Sequence, residues 1–451
     1  MKVKSPDQHP FHTRPNRTLI VLSIPALFSL IAEPITGLVD TAFVARLGST
    51  ELAALGIGTI ALTSLFWVFN FLGIGTQTEV AQALGQNKGE RAVAITSLSL
   101  VLAGGFGLLL IALIVPFAAQ LAILMGADGS LADTAATYIR LRAFGSPAVL
   151  MMLVGFGAMR GRQDMRTPLY IAVAVNVINI VLDMMFIFGF GPIPAMGVAG
   201  SAVASTLAQY VGAAWAVLIV LRYLGFSRDF KWSDATDLLT VGRDLFMRTG
   251  LLMTFLLFAT RVATQIGPDS GAAHQAIRQV WLFSALVMEA FAMTAQSLVG
   301  YFKGSLDIAS ARRVSLYSMW WSLATGIVLT IGMLAFTPQV IALLVPETAV
   351  AVFTSAWVIA SLAQPVNALA FLTDGVHWGT SDYRYLRNAM LIATTTGIVG
   401  LLLVDTSKPD ALLWVWLVTS IWIGIRGVFG MIRIWPGMGR SPLELPSASA
   451  V

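Results

Sequence analysis

The chain has 451 residues, of which 57% are hydrophobic and 11% are charged, against roughly 25% charged in an average soluble domain. A mean hydropathy of +0.79 leaves too little polar surface to solvate a chain of this length, so the composition calls for lipid as solvent. The net charge of +5 does not mark a nucleic-acid binder, because the basic residues are spread in small groups between apolar runs; with no cysteine, disulfides, thiolate metal sites and thiol nucleophiles are excluded.

Residues 1–17 carry Lys2, Lys4, Arg14 and Arg17 with Pro6, Pro10 and Pro15, and read as a disordered cytoplasmic tail. The apolar run after Arg17 continues at full spanning length, unlike the 7–15 residue core of a cleavable signal. Crossing a hydrocarbon layer of about 30 Å takes about 20 apolar residues at 1.5 Å rise. Twelve such runs follow, at 18–44, 52–77, 91–117, 131–158, 167–190, 197–222, 243–266, 272–302, 312–336, 350–376, 384–404 and 411–434. They are expected to be helices, since lipid-exposed backbone must satisfy its own hydrogen bonds and the short alternating segments of a barrel are absent. The predicted fold class is an all-α integral membrane protein with twelve transmembrane helices.

Arg46, Arg140, Arg142, Arg261, Arg278 and Lys408 fall on one set of alternate connections, and the other 22 of the 28 Lys and Arg residues on the opposite set. The positive-inside rule then places both termini in the cytoplasm.

Acids inside a span are costly and mark a task. Span 1 holds Glu33 and, two helical turns later, Asp40; span 5 holds Asn176, Asn179 and Asp183 along one stripe; span 8 holds Glu289. Asp40 and Asp183 each precede the outer end of an outward-running span by about seven residues, or about 10 Å, so they share a depth. Two carboxylates close together in a low dielectric cannot both ionise cheaply, so such a pair can load and release a proton. The bland reading is that each cross-links helices through Asn179 or backbone groups, and Glu33 beside Pro34 can serve backbone groups freed by that proline.

The sequence repeats on itself at an offset of about 219 residues. Gly48 falls on Gly267, Gln77 on Gln296 and Gly85 on Gly304; one residue less aligns GAMRGRQDMR, from Gly157, with GVHWGTSDYR, from Gly375, both keeping G-x-x-x-G-x-x-D-x-R. The expected organisation is an N-terminal lobe at 18–222, a cytoplasmic linker at 223–242, a C-terminal lobe at 243–434 and a cytoplasmic tail at 435–451. Paired lobes suit a transporter that rocks about a site between them. The charges are not repeated: Ala259 and Leu401 stand opposite Asp40 and Asp183, and Asn70 opposite Glu289. Chemistry is therefore expected in the first lobe, with Glu289 a separate contribution. His274 and His377 have no partner at metal-ligand spacing, and no phosphate-binding loop or nucleophile elbow is present, so neither an enzyme nor a primary pump is expected. Trp67, Tyr138, Trp281 and Trp357 are interfacial residues or aromatic walls for a cation.

The segments IPALFSLIAEPITGLVDTAFVARLGSTELAALGIG and GAMRGRQDMRTPL resemble the multidrug and toxic compound extrusion (MATE) family, and AAHQAIRQVWLFSALVMEAFAMTAQSLVG and LTDGVHWGTSDYRYLRNAM are similar to its DinF-like branch. The resemblance implies an antiporter of two six-helix lobes that exports amphipathic, cationic or neutral compounds in exchange for protons or sodium. It implies cation coupling at Asp40, Asn179 and Asp183, and a substrate cavity with Tyr138, Ser201 and Glu289, to which the in-span polar residues themselves add Asn176 and Glu33 as candidates. The sodium-coupled branch carries an acid near the place of Asn367, which favours the proton here; Asp374 is family-like, with no role derivable from sequence. The implied protein has no cofactor or resident metal, acts as a monomer and lies in a bacterial inner membrane. The competing function is a flippase for a lipid-linked precursor. Its pyrophosphate headgroup would ask for Arg or Lys inside the cavity, whereas the spans read as holding acids at their middle and cations at their ends.

Overall fold

In the computed structural model, residues 8–229, 231–435 and 441–445 are described. They form helices joined by short connections, and the chain divides into two internally packed units, Ile24–Gly242 and Met1–Ser23 with Arg243–Val451. The helices are α1 (Pro10–Thr13), α2 (Pro15–Val44), α3 (Ser49–Val68), α4 (Asn70–Gly85), α5 (Gly89–Leu124), α6 (Gly129–Ala143), α7 (Ser146–Gly161), α8 (Arg166–Phe188) and α9 (Val198–Tyr223). They continue with α10 (Trp232–Ile266), α11 (Pro268–Gly304), α12 (Ile308–Ala335), α13 (Thr337–Leu344), α14 (Val350–Leu362), α15 (Gln364–Gly379), α16 (Tyr383–Leu402) and α17 (Ala411–Ile434).

Among the described residues, ten helices are long and apolar enough to cross a membrane, and two bent pairs bring the number to twelve. The bent pairs are α6 with α7, at 48°, and Glu347–Leu362 with α15, at 47°. Their cause is visible in the sequence. Pro147 and Pro365 stand at the second position of α7 and α15, where the missing N–H and the ring break the ladder to the preceding turn. The two prolines occupy equivalent positions of the repeat, so the duplication extends to the defects in the spans. It is imperfect at one place: α3 and α4 are separated at Phe69, whereas their counterpart α11 is unbroken over 37 residues.

Lipid removes most of the hydrophobic drive between helices, so close packing of small residues has to hold each unit together. The repeated motif shows how. A Cβ on Gly157 would overlap the Gly73 carbonyl oxygen, and one on Gly375 the Ala292 carbonyl oxygen; Cβ atoms on Gly161 and Gly379 would come within 2.7 and 2.6 Å of the Gln77 and Gln296 carbonyls. Each motif thus presses α7 against α4, or α15 against α11, backbone to backbone. Large apolar side chains such as Leu108, Leu109, Leu113 and Phe117 on α5 and Ile327, Val328 and Ile331 on α12 are left exposed. In water such bands would drive aggregation; in a bilayer they are the lipid face.

Two segments expected to be loose are packed. Within 1–17, residues 1–7 lie outside the described residues, but α1 and the start of α2 are helical. Phe11 is fully buried, its ring 5.9 Å from that of Phe302 and 6.0 Å from that of Tyr317. Pro10 and Pro15 open helices, the position a proline fills without loss. The expected linker 223–242 is likewise not free: the Ser227 amide donates to Ser97 Oγ at 3.0 Å, and Ala235 and Leu238 share a small core with Leu98. The divisions between units fall inside α2, after Ser23, where residue 18 was expected, and inside α10 at Arg243, the residue at which the C-terminal lobe was expected to begin. Of the C-terminal tail, 436–440 and 446–451 lie outside the described residues.

Candidate functional site

Within the Ile24–Gly242 unit, α2, α6, α8 and α9 bring polar side chains to one buried place. Asn179 and Asp183 are one turn apart on α8, and both are buried, at 1% and 0% exposed. Asp40 on α2 is also buried. With its amide oriented to satisfy its neighbours, Asn179 donates to Asp40 Oδ1 at 3.0 Å and Asp183 Oδ2 at 3.3 Å, and accepts from Ser205 Oγ at 3.1 Å. The two carboxyls are themselves within hydrogen-bonding reach of each other. A direct bond between two carboxyls requires one proton between them. Ser201, fully buried on α9, faces the Asp183 carboxyl. Asp40, Asn179, Asp183 and Ser205 therefore assemble as a single network, with the Ser201 hydroxyl beside it and without a hydrogen-bond partner.

The remaining candidates divide. Asn176 braces α8 against α2, accepting from Thr36 Oγ1 and donating to the Ala32 carbonyl at 2.7 Å. Tyr138 on α6 is buried at 3% exposed, its phenol 3.4 Å from Thr59 Oγ1, so it backs the network instead of lining open space. Glu33 is on an exposed part of α2. Glu289 belongs to the other unit, where it acts electrostatically on Arg426.

Sequence reasoning missed Arg142. Counted as a cation at a span end, it is half-buried beside Tyr138, donates to Gln209 Oε1 at 2.7 Å, and acts electrostatically on Glu33, Asp40 and Asp183. The expectation that cations stay at span ends is thereby corrected. The reason is the break after Ala143: Arg142, counted with the outer connections, is the last residue but one of the half-helix α6, beside Gln209 of α9. Two signals were available: Tyr138 and Arg142 are four residues apart, and Ser201, Ser205 and Gln209 repeat every four residues through an otherwise apolar span.

The Arg243–Val451 unit has a different polar cluster. Arg248 and Arg426 both donate to Asp374 Oδ2, the latter at 3.0 Å, and their guanidiniums lie over Trp378 and Trp422 at 5.3 and 4.7 Å. All three charged groups are buried. This cluster ties α10, α15 and α17, and gives Asp374 its role. Asn367 is fully buried there and neither amide atom has a hydrogen-bond partner. His274 bonds Thr260 Oγ1 at 3.2 Å and His377 the Gly430 carbonyl at 3.2 Å. Among the described residues no three His, Cys, Asp or Glu side chains gather as metal ligands would.

Comparison with known proteins gives the same picture. The MatE family model matches twice, at residues 25–185 and 246–403, once in each half of the repeat. Protein DETOXIFICATION 44, chloroplastic, of Arabidopsis thaliana is 32% identical over 444 residues, covering 92% of this chain and 81% of that protein. DNA damage-inducible protein F of Escherichia coli (strain K12) is 28% identical over 435 residues, covering 94% and 93%. A crystal structure of MATE in the bent conformation has the same fold, with a TM-score of 0.86 at 22% identity over 93% of this chain and 95% of that one. The chain belongs to the MatE family, a multi-pass membrane transporter and not an enzyme.

Proposed function

We propose that the protein is a secondary antiporter that exports amphipathic, cationic or neutral drugs and toxic compounds in exchange for protons, by alternating access between its two lobes. The observation that carries this reading is the Asp40–Asn179–Asp183 network: two buried carboxyls within reach of one another and joined by one amide. Ionised, the pair attracts a cation; sharing a proton, it loses most of that attraction, so proton entry favours drug release. The relatives' names are consistent with this use. The orientation follows from the distribution of Lys and Arg, with both termini cytoplasmic, and the setting is the inner membrane of a bacterium, where one chain suffices.

Arg142 bears on the flippase alternative, because it supplies a half-buried cation of the kind an anionic headgroup would need. The charge balance opposes that reading: two buried carboxyls face one guanidinium, so the site as a whole favours positive or neutral cargo. Sodium competes as coupling ion, since carboxylates, an amide and hydroxyls are all hard oxygen ligands. The proton is favoured because Asn367 supplies no second acid in the C-terminal lobe. Proteoliposomes loaded with ethidium and given proton and sodium gradients separately decide both points. Export driven by the proton gradient without sodium supports the reading; export driven only by sodium, or none with any organic cation, refutes it.

A further inference from the structure

Arg142 is tied to the network through α9: Gln209, which it bonds, stands one turn from Ser205, the hydroxyl that donates to Asn179 between the two aspartates, and its charge bears on Glu33, Asp40, Tyr138 and Asp183 alike. Its position is built. Nη1 donates to Gln209 Oε1 on α9 at 2.7 Å, and under the pair lies Gly145, where a Cβ would come within 3.1 Å of both atoms.

The repeat separates this arginine from the architecture around it. At an offset of about 218 residues Arg142 stands opposite Ala360, Gly145 opposite Ala363 and Tyr138 opposite Ala356. Yet the span bends by 47° in the lobe with the alanines and by 48° in the lobe with the arginine. The guanidinium is not what makes the bend. What it does share is the distribution of the acids: Asp40 and Asp183 also face Ala259 and Leu401 in the repeat, so acids and arginine are present together in one lobe and absent together from the matching places of the other.

Charge arithmetic gives that association a meaning. With both aspartates ionised, Arg142 leaves the Asp40–Asp183 pair one negative charge; Glu33, on an exposed part of α2, lies outside the Asp40–Asn179–Asp183 network and outside this count. A buried cluster binds what brings it to neutrality, because unbalanced charge in low dielectric is expensive. One proton does this, and so does one singly charged organic cation; the two together overshoot.

We propose that Arg142 fixes the charge capacity of the Asp40–Asp183 site at one, so that a proton and a monovalent organic cation exclude each other and a divalent cation is disfavoured. Arg142 is thus a specificity determinant of the antiport proposed above, on which this inference rests. Without the guanidinium the site holds two positive charges, and the competition that couples drug to proton slackens.

Ethidium and propidium, which share a ring system and carry one and two positive charges, are the probes. Their binding to the purified full-length protein is followed by fluorescence from acid to alkaline pH. Wild type and Arg142→Lys are expected to prefer ethidium and to lose affinity for it on acidification. Arg142→Gln is expected to bind propidium tighter than wild type by on the order of tenfold or more, the range of ordinary coupling between sites, with ethidium binding nearly independent of pH. The double variant Arg142→Gln with Asp183→Asn returns the capacity to one and with it the wild-type preference. Should Arg142→Gln fail to fold, Asn179→Asp adds a negative charge with the arginine in place and is expected to gain propidium as well. A folded Arg142→Gln or Asn179→Asp with the propidium affinity and pH response of wild type overturns the inference and leaves the proposed antiport standing. A wild type whose ethidium binding ignores pH overturns both.

Discussion

The Asn179 amide on α8 reaches Asp40 Oδ1 on α2 at 3.0 Å while its neighbour Asp183, one turn along the same helix, lies within reach of the same amide. Two helices that carry the acids are therefore joined through a neutral donor, and the protonation of either acid is felt by the other. Asp40→Asn is expected to abolish coupled export in proteoliposomes while leaving the protein folded. Neutralising Asp40 mimics its protonated form, so the variant should bind drug at every pH as weakly as wild type does in acid. Asp183→Asn should resemble it more closely than Glu289→Gln does, because Glu289 belongs to another cluster. Equal loss of coupling in all three variants would remove the distinction.

The Asp374 cluster yields a stability prediction. Removing the carboxylate leaves Arg248 and Arg426 buried without their shared counter-charge, and breaking one partner of a buried pair costs about 3–5 kcal/mol. Asp374→Ala is expected to lower the unfolding temperature in detergent markedly, far more than Asp405→Ala at an exposed connection. Equal melting of the two would show that the triad holds nothing.

Gly157→Ala and Gly375→Ala test the backbone crossings at equivalent places of the repeat. Each added methyl would overlap a carbonyl oxygen of the facing helix, and such overpacking costs about 1–3 kcal/mol. Both should reduce thermal stability and folded yield. Gly105→Ala, where a Cβ meets nothing within 4 Å, should be neutral in the same assay.

Asp382 sits in the short connection between α15 and α16. Burial opposes its ionisation, but hydrogen bonds to His377 and Arg433 and the charges of both outweigh this and hold its carboxyl below the usual range. A carboxyl whose folded value is depressed contributes stability above its unfolded value and loses it as the pH falls through the folded one. The stability gap between wild type and Asp382→Asn should accordingly be widest near neutrality and close in strong acid. A gap that stays constant across this range would assign the effect to packing. Asp164, at the equivalent place of the other lobe, serves instead as a cap, accepting from the Arg166 and Thr167 amides at 3.1 Å.

The spans were legible because twelve apolar runs in lipid have one backbone solution, and the repeat because its glycines mark crossings no other residue permits. Asp40, Asn179 and Asp183 could be named because acids inside an apolar run are costly and their depth follows from helical rise. Arg142 was hidden by the break after Ala143, whose proline and glycine read as ordinary punctuation inside a span until the 48° bend places the arginine beside the acids. Phe11 and the turn of α10 before Gly242 were hidden because polar flanking residues outnumber the few apolar ones that anchor each segment. The Arg248–Asp374–Arg426 cluster joins three helices distant in sequence, which no local pattern announces.

Proton release on drug binding tests the central claim most directly. When ethidium is added to the purified protein in weakly buffered solution near the midpoint of its pH response, wild type should release up to one proton per ethidium bound, and Asp40→Asn none. Ethidium binding by wild type without any proton release would contradict the account.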